Sequence, residues 1–69
     1  MLYNRDLVFH IEQEIIKLEK EFINAPKIIL ISNLNDIGYN SLKEINDGIN
    51  FLIKNGNIEY LNKNYLRRC

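Results

Sequence analysis

The sequence predicts a small α+β domain in which three helices precede a C-terminal two-stranded β-hairpin. Residues 4–23 and 41–55 each place apolar side chains at helical spacing, three or four residues apart. Residues 57–68 alternate apolar and polar side chains around a central turn, which is typical of two short antiparallel strands. The chain has 69 residues, 46% of them hydrophobic, which is enough for one small core. We therefore expect a single domain over residues 1–69.

The first predicted helix covers about residues 4–23, with Asn4 as its N-cap. Its apolar stripe repeats at intervals of three or four residues and consists of Leu7, Ile11, Ile15, Leu18 and Phe22. This stripe fits an ordinary core helix with a solvated, charged outer face. Because Val8, Ile16 and Ile23 widen the stripe, the same five side chains also fit a dimer interface with a second copy of the helix.

The segment after the first helix is ambiguous. Pro26 ends that helix, because proline lacks a backbone N–H and disfavours helical geometry in the preceding residue. Residues 27–34 fit a buried strand by composition, or a short second helix. A helix here is expected to bury Ile28, Ile31 and Leu34.

Residues 35–40 contain Asn, Asp and Gly, which accept unusual backbone angles, and they predict a turn. We expect Ile37 to anchor this turn in the core. The third helix is predicted over about residues 41–55, where Ser41 and Glu44 form a capping box. Its apolar face is made of Leu42, Ile45, Ile49, Leu52 and Ile53. Gly48 interrupts it at a cost of ~1 kcal/mol in helix propensity.

Residues 45–58 carry the pattern Ile-x3-Ile-x2-Leu-x3-Gly-x-Ile, formed by Ile45, Ile49, Leu52, Gly56 and Ile58. Together with the hairpin of residues 57–68, this pattern resembles the winged helix-turn-helix superfamily of DNA-binding proteins, over roughly residues 26–68. The resemblance implies a second helix at about residues 26–34, a recognition helix at about residues 41–55, and a wing at about residues 57–68.

The resemblance also implies double-stranded DNA as the partner. Asn side chains can pair with adenine and Lys side chains with guanine in the major groove, and a basic hairpin can follow the phosphate backbone. Residues 41–69 carry five Lys or Arg against three Asp or Glu, whereas residues 1–40 carry four against six. The acids Glu44 and Asp47 on the third helix oppose phosphate binding. The DNA-binding candidates are Tyr39, Asn40, Ser41, Lys43, Asn46, Asn50, Lys54, Lys63, Asn64, Arg67 and Arg68.

No catalytic pattern stands out in the sequence. His10 is the single histidine, Cys69 the single cysteine, and no glycine-rich phosphate loop is present. We expect no enzyme activity, metal, cofactor or small-molecule substrate. No apolar run is long enough to span a bilayer and the N-terminus does not read as a secretory signal, so we expect no membrane association and a cytoplasmic location.

Two functions remain open at this point. The first is sequence-specific DNA binding, as a small transcription regulator or replication-associated factor. The second is a protein-interaction module with the same fold, such as a viral inhibitor or assembly adaptor; the zero net charge and the acids of the third helix favour it. Abundant Asn and Ile, with Ala25 as the sole alanine, suggest an AT-rich genome, such as that of a low-GC bacterium or of a phage, virus or plasmid in such a host.

Overall fold

Three helices precede a C-terminal antiparallel hairpin in the computed structural model of the protein, which describes residues 4–69. The predicted α+β layout is therefore confirmed. The elements are α1 (Arg5–Phe22), β1 (Ala25–Pro26), α2 (Lys27–Asp36), α3 (Leu42–Lys54), β2 (Ile58–Asn62) and β3 (Tyr65–Arg68). The strands form an antiparallel sheet in the order β1-β3-β2.

Helix α1 is the element on which the rest of the domain packs. Asn4 caps it as predicted, and its Oδ1 atom accepts a hydrogen bond from the Leu7 backbone N–H at 3.1 Å. Four side chains of its stripe are at most 2% exposed because α2, α3 and the sheet cover them; these are Leu7, Ile11, Ile15 and Leu18. Assigning these four to a dimer interface is therefore wrong. Phe22, the fifth member, is 43% exposed.

Residues 27–34 are helical, which resolves the ambiguity between strand and helix. Leu30 and Leu34 are fully buried, and Ile31 is partly buried against the core. Ile28 is 81% exposed, contrary to the prediction that it faces the core. Successive helical residues are rotated by about 100°, so Ile28 points away from the side on which Leu30 is buried.

Strand β1 is an element that the sequence reading did not predict. Ala25 and Pro26 pair with Leu66 and Tyr65 of β3, and the Lys27 N–H donates to the Asn64 carbonyl at 2.8 Å. The residue before a proline favours extended geometry, so the same proline that ends α1 also supports this strand.

A tight turn at Ile23 joins α1 to β1. Ile23 has φ 69° and ψ −56°, and the Asn24 N–H donates to the Phe22 carbonyl at 2.6 Å. These angles and this bond between residues two apart define a classic γ-turn, which is rare and strained. A β-branched residue at positive φ is a steric outlier.

Tyr39, and not Ile37, anchors the turn between α2 and α3. Ile37 is 49% exposed, so the prediction that it enters the core is wrong. The Tyr39 side chain packs partly buried against the core, and its N–H donates to the Leu34 carbonyl at 2.9 Å. Leu42, which we expected on the apolar face of α3, is 55% exposed because the core-facing side is formed further along the helix.

Helix α3 approaches α1 closely at Gly48. A Cβ atom added at Gly48 would lie 2.7 Å from Ile11 Cδ1 and 3.6 Å from Val8 Cγ2. Phe51 is partly buried against the same core. The glycine in the middle of α3 therefore allows these two helices to pack together.

We expect Gly48→Ala to lower the free energy of unfolding by about 1 kcal/mol. Overpacking against Ile11 costs about 1–3 kcal/mol and outweighs the ~1 kcal/mol gained in helix propensity. Adding Ile11→Val removes the obstructing Cδ1 atom, so the double variant should regain the stability lost by Gly48→Ala. Urea unfolding followed by circular dichroism measures both, and a Gly48→Ala variant more stable than wild type would contradict this packing.

Candidate nucleic-acid interface

The outer face of α3 and the two residues before it, Asn40 and the N-cap Ser41, present five of the predicted DNA-binding residues to solvent. The Ser41 Oγ atom caps the helix by accepting from the Glu44 N–H at 3.2 Å. The Lys43 Nζ atom lies 3.0 Å from Asp47 Oδ2 one turn along the helix. The exposed members are Asn40, Ser41, Lys43, Asn50 and Lys54. The face is therefore polar and accessible, but one of its two lysines is already paired with an acid.

Tyr39 and Asn46 are only partly exposed. The Tyr39 ring lies 5.6 Å from the His10 ring, centroid to centroid, and packs on the core. The Asn46 Oδ1 atom is enclosed and has no hydrogen-bond partner among residues 4–69. These two side chains are less available to a base edge than the five on the outer face of α3.

The two arginines of the hairpin lie on opposite faces of the sheet, because consecutive residues of a strand alternate in direction. Arg67 is aligned with Glu59 across β2 and β3 and forms an ion pair with it. Arg68 points towards α1, where its Nε donates to Glu19 Oε1 at 2.9 Å and its backbone N–H donates to Glu19 Oε2 at 3.0 Å. The structure thus does not bring Arg67 and Arg68 into one basic stripe.

Lys63 and Asn64 lie at the tip of the hairpin, beside the start of α2. The Asn62 Oδ1 atom accepts from the Asn64 N–H at 2.8 Å, which tightens the turn, and the register shifts between Tyr60 and Asn62 as in a β-bulge. The base of the hairpin adjoins the end of α3, and a five-residue strand spans about 16 Å. The tip is therefore well separated from the end of α3.

Three of the five cations predicted to bind DNA are neutralised within the chain. Lys43, Arg67 and Arg68 have acidic partners, whereas Lys54 and Lys63 have none in the part of the chain that the structure describes. The pairing of Arg68 with Glu19, 49 residues earlier, depends on tertiary structure and has no sequence signal.

A groove between the start of α2, the end of α1 and the hairpin tip was not predicted. It has a volume of about 530 Å³, and its walls include Phe22, Ile28, Ile31 and Tyr65. The available sequence signal was the pair of isoleucines on either side of Pro26, Ile23 and Ile28. A second, polar recess of about 700 Å³ contains Glu12 and Glu19, but these already bind Asn57 and Arg68.

No protein-family model matches the chain, and no curated protein or solved structure matches it either. Within residues 4–69, no three His, Cys, Asp or Glu side chains are grouped as metal ligands would be. None of the helices in these residues combines the length and the apolar composition required to cross a membrane.

We expect Glu19→Gln to lower the free energy of unfolding by about 1–2 kcal/mol, because charged hydrogen bonds that are partly shielded from water contribute that much. The Glu19 side chain is 18% exposed and receives two such bonds from Arg68. Glu59→Gln is the matched control, because its exposed ion pair is worth under about 1 kcal/mol. Urea unfolding compares the two, and equal losses would mean that Glu19 does not hold the hairpin to α1.

Proposed function

We propose that this protein binds double-stranded DNA through the outer face of α3. The exposed polar face from Asn40 to Lys54, presented by a capped helix, is the observation that supports this function. A helix of 13 residues is about 20 Å long and fits the major groove, which is about 12 Å wide.

The side chains of this face suit direct readout of bases. Asn50 can bond bidentately to adenine N6 and N7, and Lys43 can reach guanine N7 or O6. The N–H groups at the start of α3, next to Ser41, suit a phosphate oxygen. Glu44 and Asp47 repel phosphates and so weaken backbone binding. Base contacts therefore contribute a larger fraction of the binding free energy.

Affinity for DNA should be modest because few cations are free to contact phosphates. Lys54 and Lys63 lack acidic partners in the described chain. Each phosphate contact contributes about 0.9 to the slope of log affinity against log salt, and Lys54 is the one of these two lysines that lies on α3, so the α3 face predicts a slope of about −1.

The role that fits this binding is a small transcription regulator or a replication-associated factor of a phage, virus or plasmid, acting in the cytoplasm. The nucleotide composition implied by its Asn and Ile content supports the origin in a phage, virus or plasmid. It is a binding function, which requires no cofactor and no small-molecule substrate.

Asp47→Asn should strengthen duplex binding several-fold and steepen the salt slope by about 1, because it removes a repelling acid and frees Lys43. Lys54→Ala should weaken binding and reduce the slope by about 1. Lys17→Ala makes the same change of charge at an exposed position on α1 and should leave binding unchanged. Fluorescence anisotropy with a duplex at two salt concentrations measures all three, and affinities identical to wild type would exclude α3 from the interface.

Asn50→Ala should relax sequence preference without changing the salt slope, because its amide can read a base edge and carries no charge. The measurement is selection from a random duplex library, with wild type and variant in parallel. Identical enriched sites for both proteins would show that Asn50 does not contact bases.

A second candidate function is that of a protein-interaction module. The specific observation in its favour is the cluster of exposed apolar side chains beside the groove, including Ile23 at 83% and Ile28 at 81% exposure. Small domains rarely expose neighbouring large apolar side chains without a partner surface.

A further inference from the structure

The junction between α1 and α2 carries a protruding side chain and a hollow side by side. We call this surface the α1–α2 corner; it comprises Phe22, Ile23, Pro26, Ile28, Ile31 and Tyr65. Ile23 projects from the γ-turn with 83% of its surface exposed, directly after Phe22, which lines the groove of about 530 Å³. An apolar knob thus lies next to an apolar hole.

The conformation of Ile23 is unfavourable in the isolated chain. Its positive φ strains a β-branched residue, and its side chain gains little from burial because it is almost fully exposed. Backbone strain of this kind clusters at functional positions, such as active sites, ligand clamps and switch regions. A partner that buries Ile23 would offset this strain.

We propose that the α1–α2 corner is the interface of a symmetric dimer, in which Ile23 of each copy enters the groove of the other. A two-fold contact requires a surface that is complementary to itself, and an adjacent knob and hole meet that requirement. The formal net charge of zero removes net repulsion between two copies. A chain of 69 residues also gains stability from association more than a larger domain does.

The charges at the corner also match between copies. Lys27 and Lys63 line the groove, and the exposed Glu21 lies two residues before the knob. Seating Ile23 in the groove of a second copy carries Glu21 towards those two lysines. The two-fold axis repeats this contact, so each copy contributes Glu21 to one contact and the two lysines to the other.

The interface differs from the one that the sequence suggested. Leu7, Ile11, Ile15 and Leu18 are in the core, and only Phe22 of the predicted stripe belongs to the corner. The proposal does not rest on DNA binding, because the corner lies at the start of α2 and the proposed DNA contacts lie mainly on α3. Its test therefore needs no DNA.

The test is sedimentation equilibrium of the full chain from about 1 μM to about 1 mM, a range that covers weak to moderate dimers. A reductant prevents the exposed Cys69 from crosslinking two chains. We expect a reversible dimer that Ile23→Gly weakens at least about tenfold, as the loss of a central apolar contact does. Glycine accepts positive φ, so this variant should remain folded by circular dichroism. Ile28→Asn should weaken the dimer similarly.

The matched control is Ile37→Gly, which removes another exposed isoleucine in the turn between α2 and α3 and should leave the dimer intact. A wild-type chain that stays monomeric throughout would overturn the proposal. A dimer that tolerates both Ile23→Gly and Ile28→Asn would overturn it too, because the contact would lie elsewhere. A monomer that sediments with vesicles containing anionic lipid would also overturn it, and would assign the corner to a membrane surface.

Discussion

Burial of the α1 stripe is the interaction on which the rest of this structure depends. Leu7, Ile11, Ile15 and Leu18 are removed from water by α2, α3 and the sheet, which all pack on this one helix. Each fully buried Leu or Ile contributes about 1.5–3 kcal/mol, and these four are among the ten largest fully buried side chains of residues 4–69. Gly48 permits α3 to approach them, and the Glu19–Arg68 contact fastens the hairpin to the same helix.

The sequence predicted the helices well because their signals are local. Asn4 and Ser41 cap helices as expected, and apolar spacing located most of the buried positions of α1 and α3, with Phe22 and Leu42 as exceptions. The side chains that each helix buries were less predictable, because tertiary packing decides which side of a uniformly apolar segment faces the core. The exposure of Ile28 is an example, since α2 carries apolar side chains on several sides. Strand β1 was not predicted from the sequence, because a strand of two residues is too short to show an alternating apolar pattern.

The candidate site was predicted in composition more than in geometry. The residue types predicted a polar face on α3, and Asn40, Lys43, Asn50 and Lys54 are exposed in the structure. Sequence could not reveal that Arg67 and Arg68 are paired with acids, because those contacts join β2 to β3 and β3 to α1, whereas the Lys43–Asp47 pair is local to α3. If both proposals hold, two copies related by a two-fold axis would present two α3 helices, and their DNA sites would be inverted repeats.

The edges of the sheet have a consequence for how the chain behaves at high concentration. One edge is β1, only two residues long, where Pro26 supplies no N–H. The other is β2, whose irregular register between Tyr60 and Asn62 disrupts a continuous ladder. Neither edge offers a long row of free backbone groups to a strand from another molecule. These edges therefore disfavour the addition of a strand from another molecule, which is the step that extends a fibril.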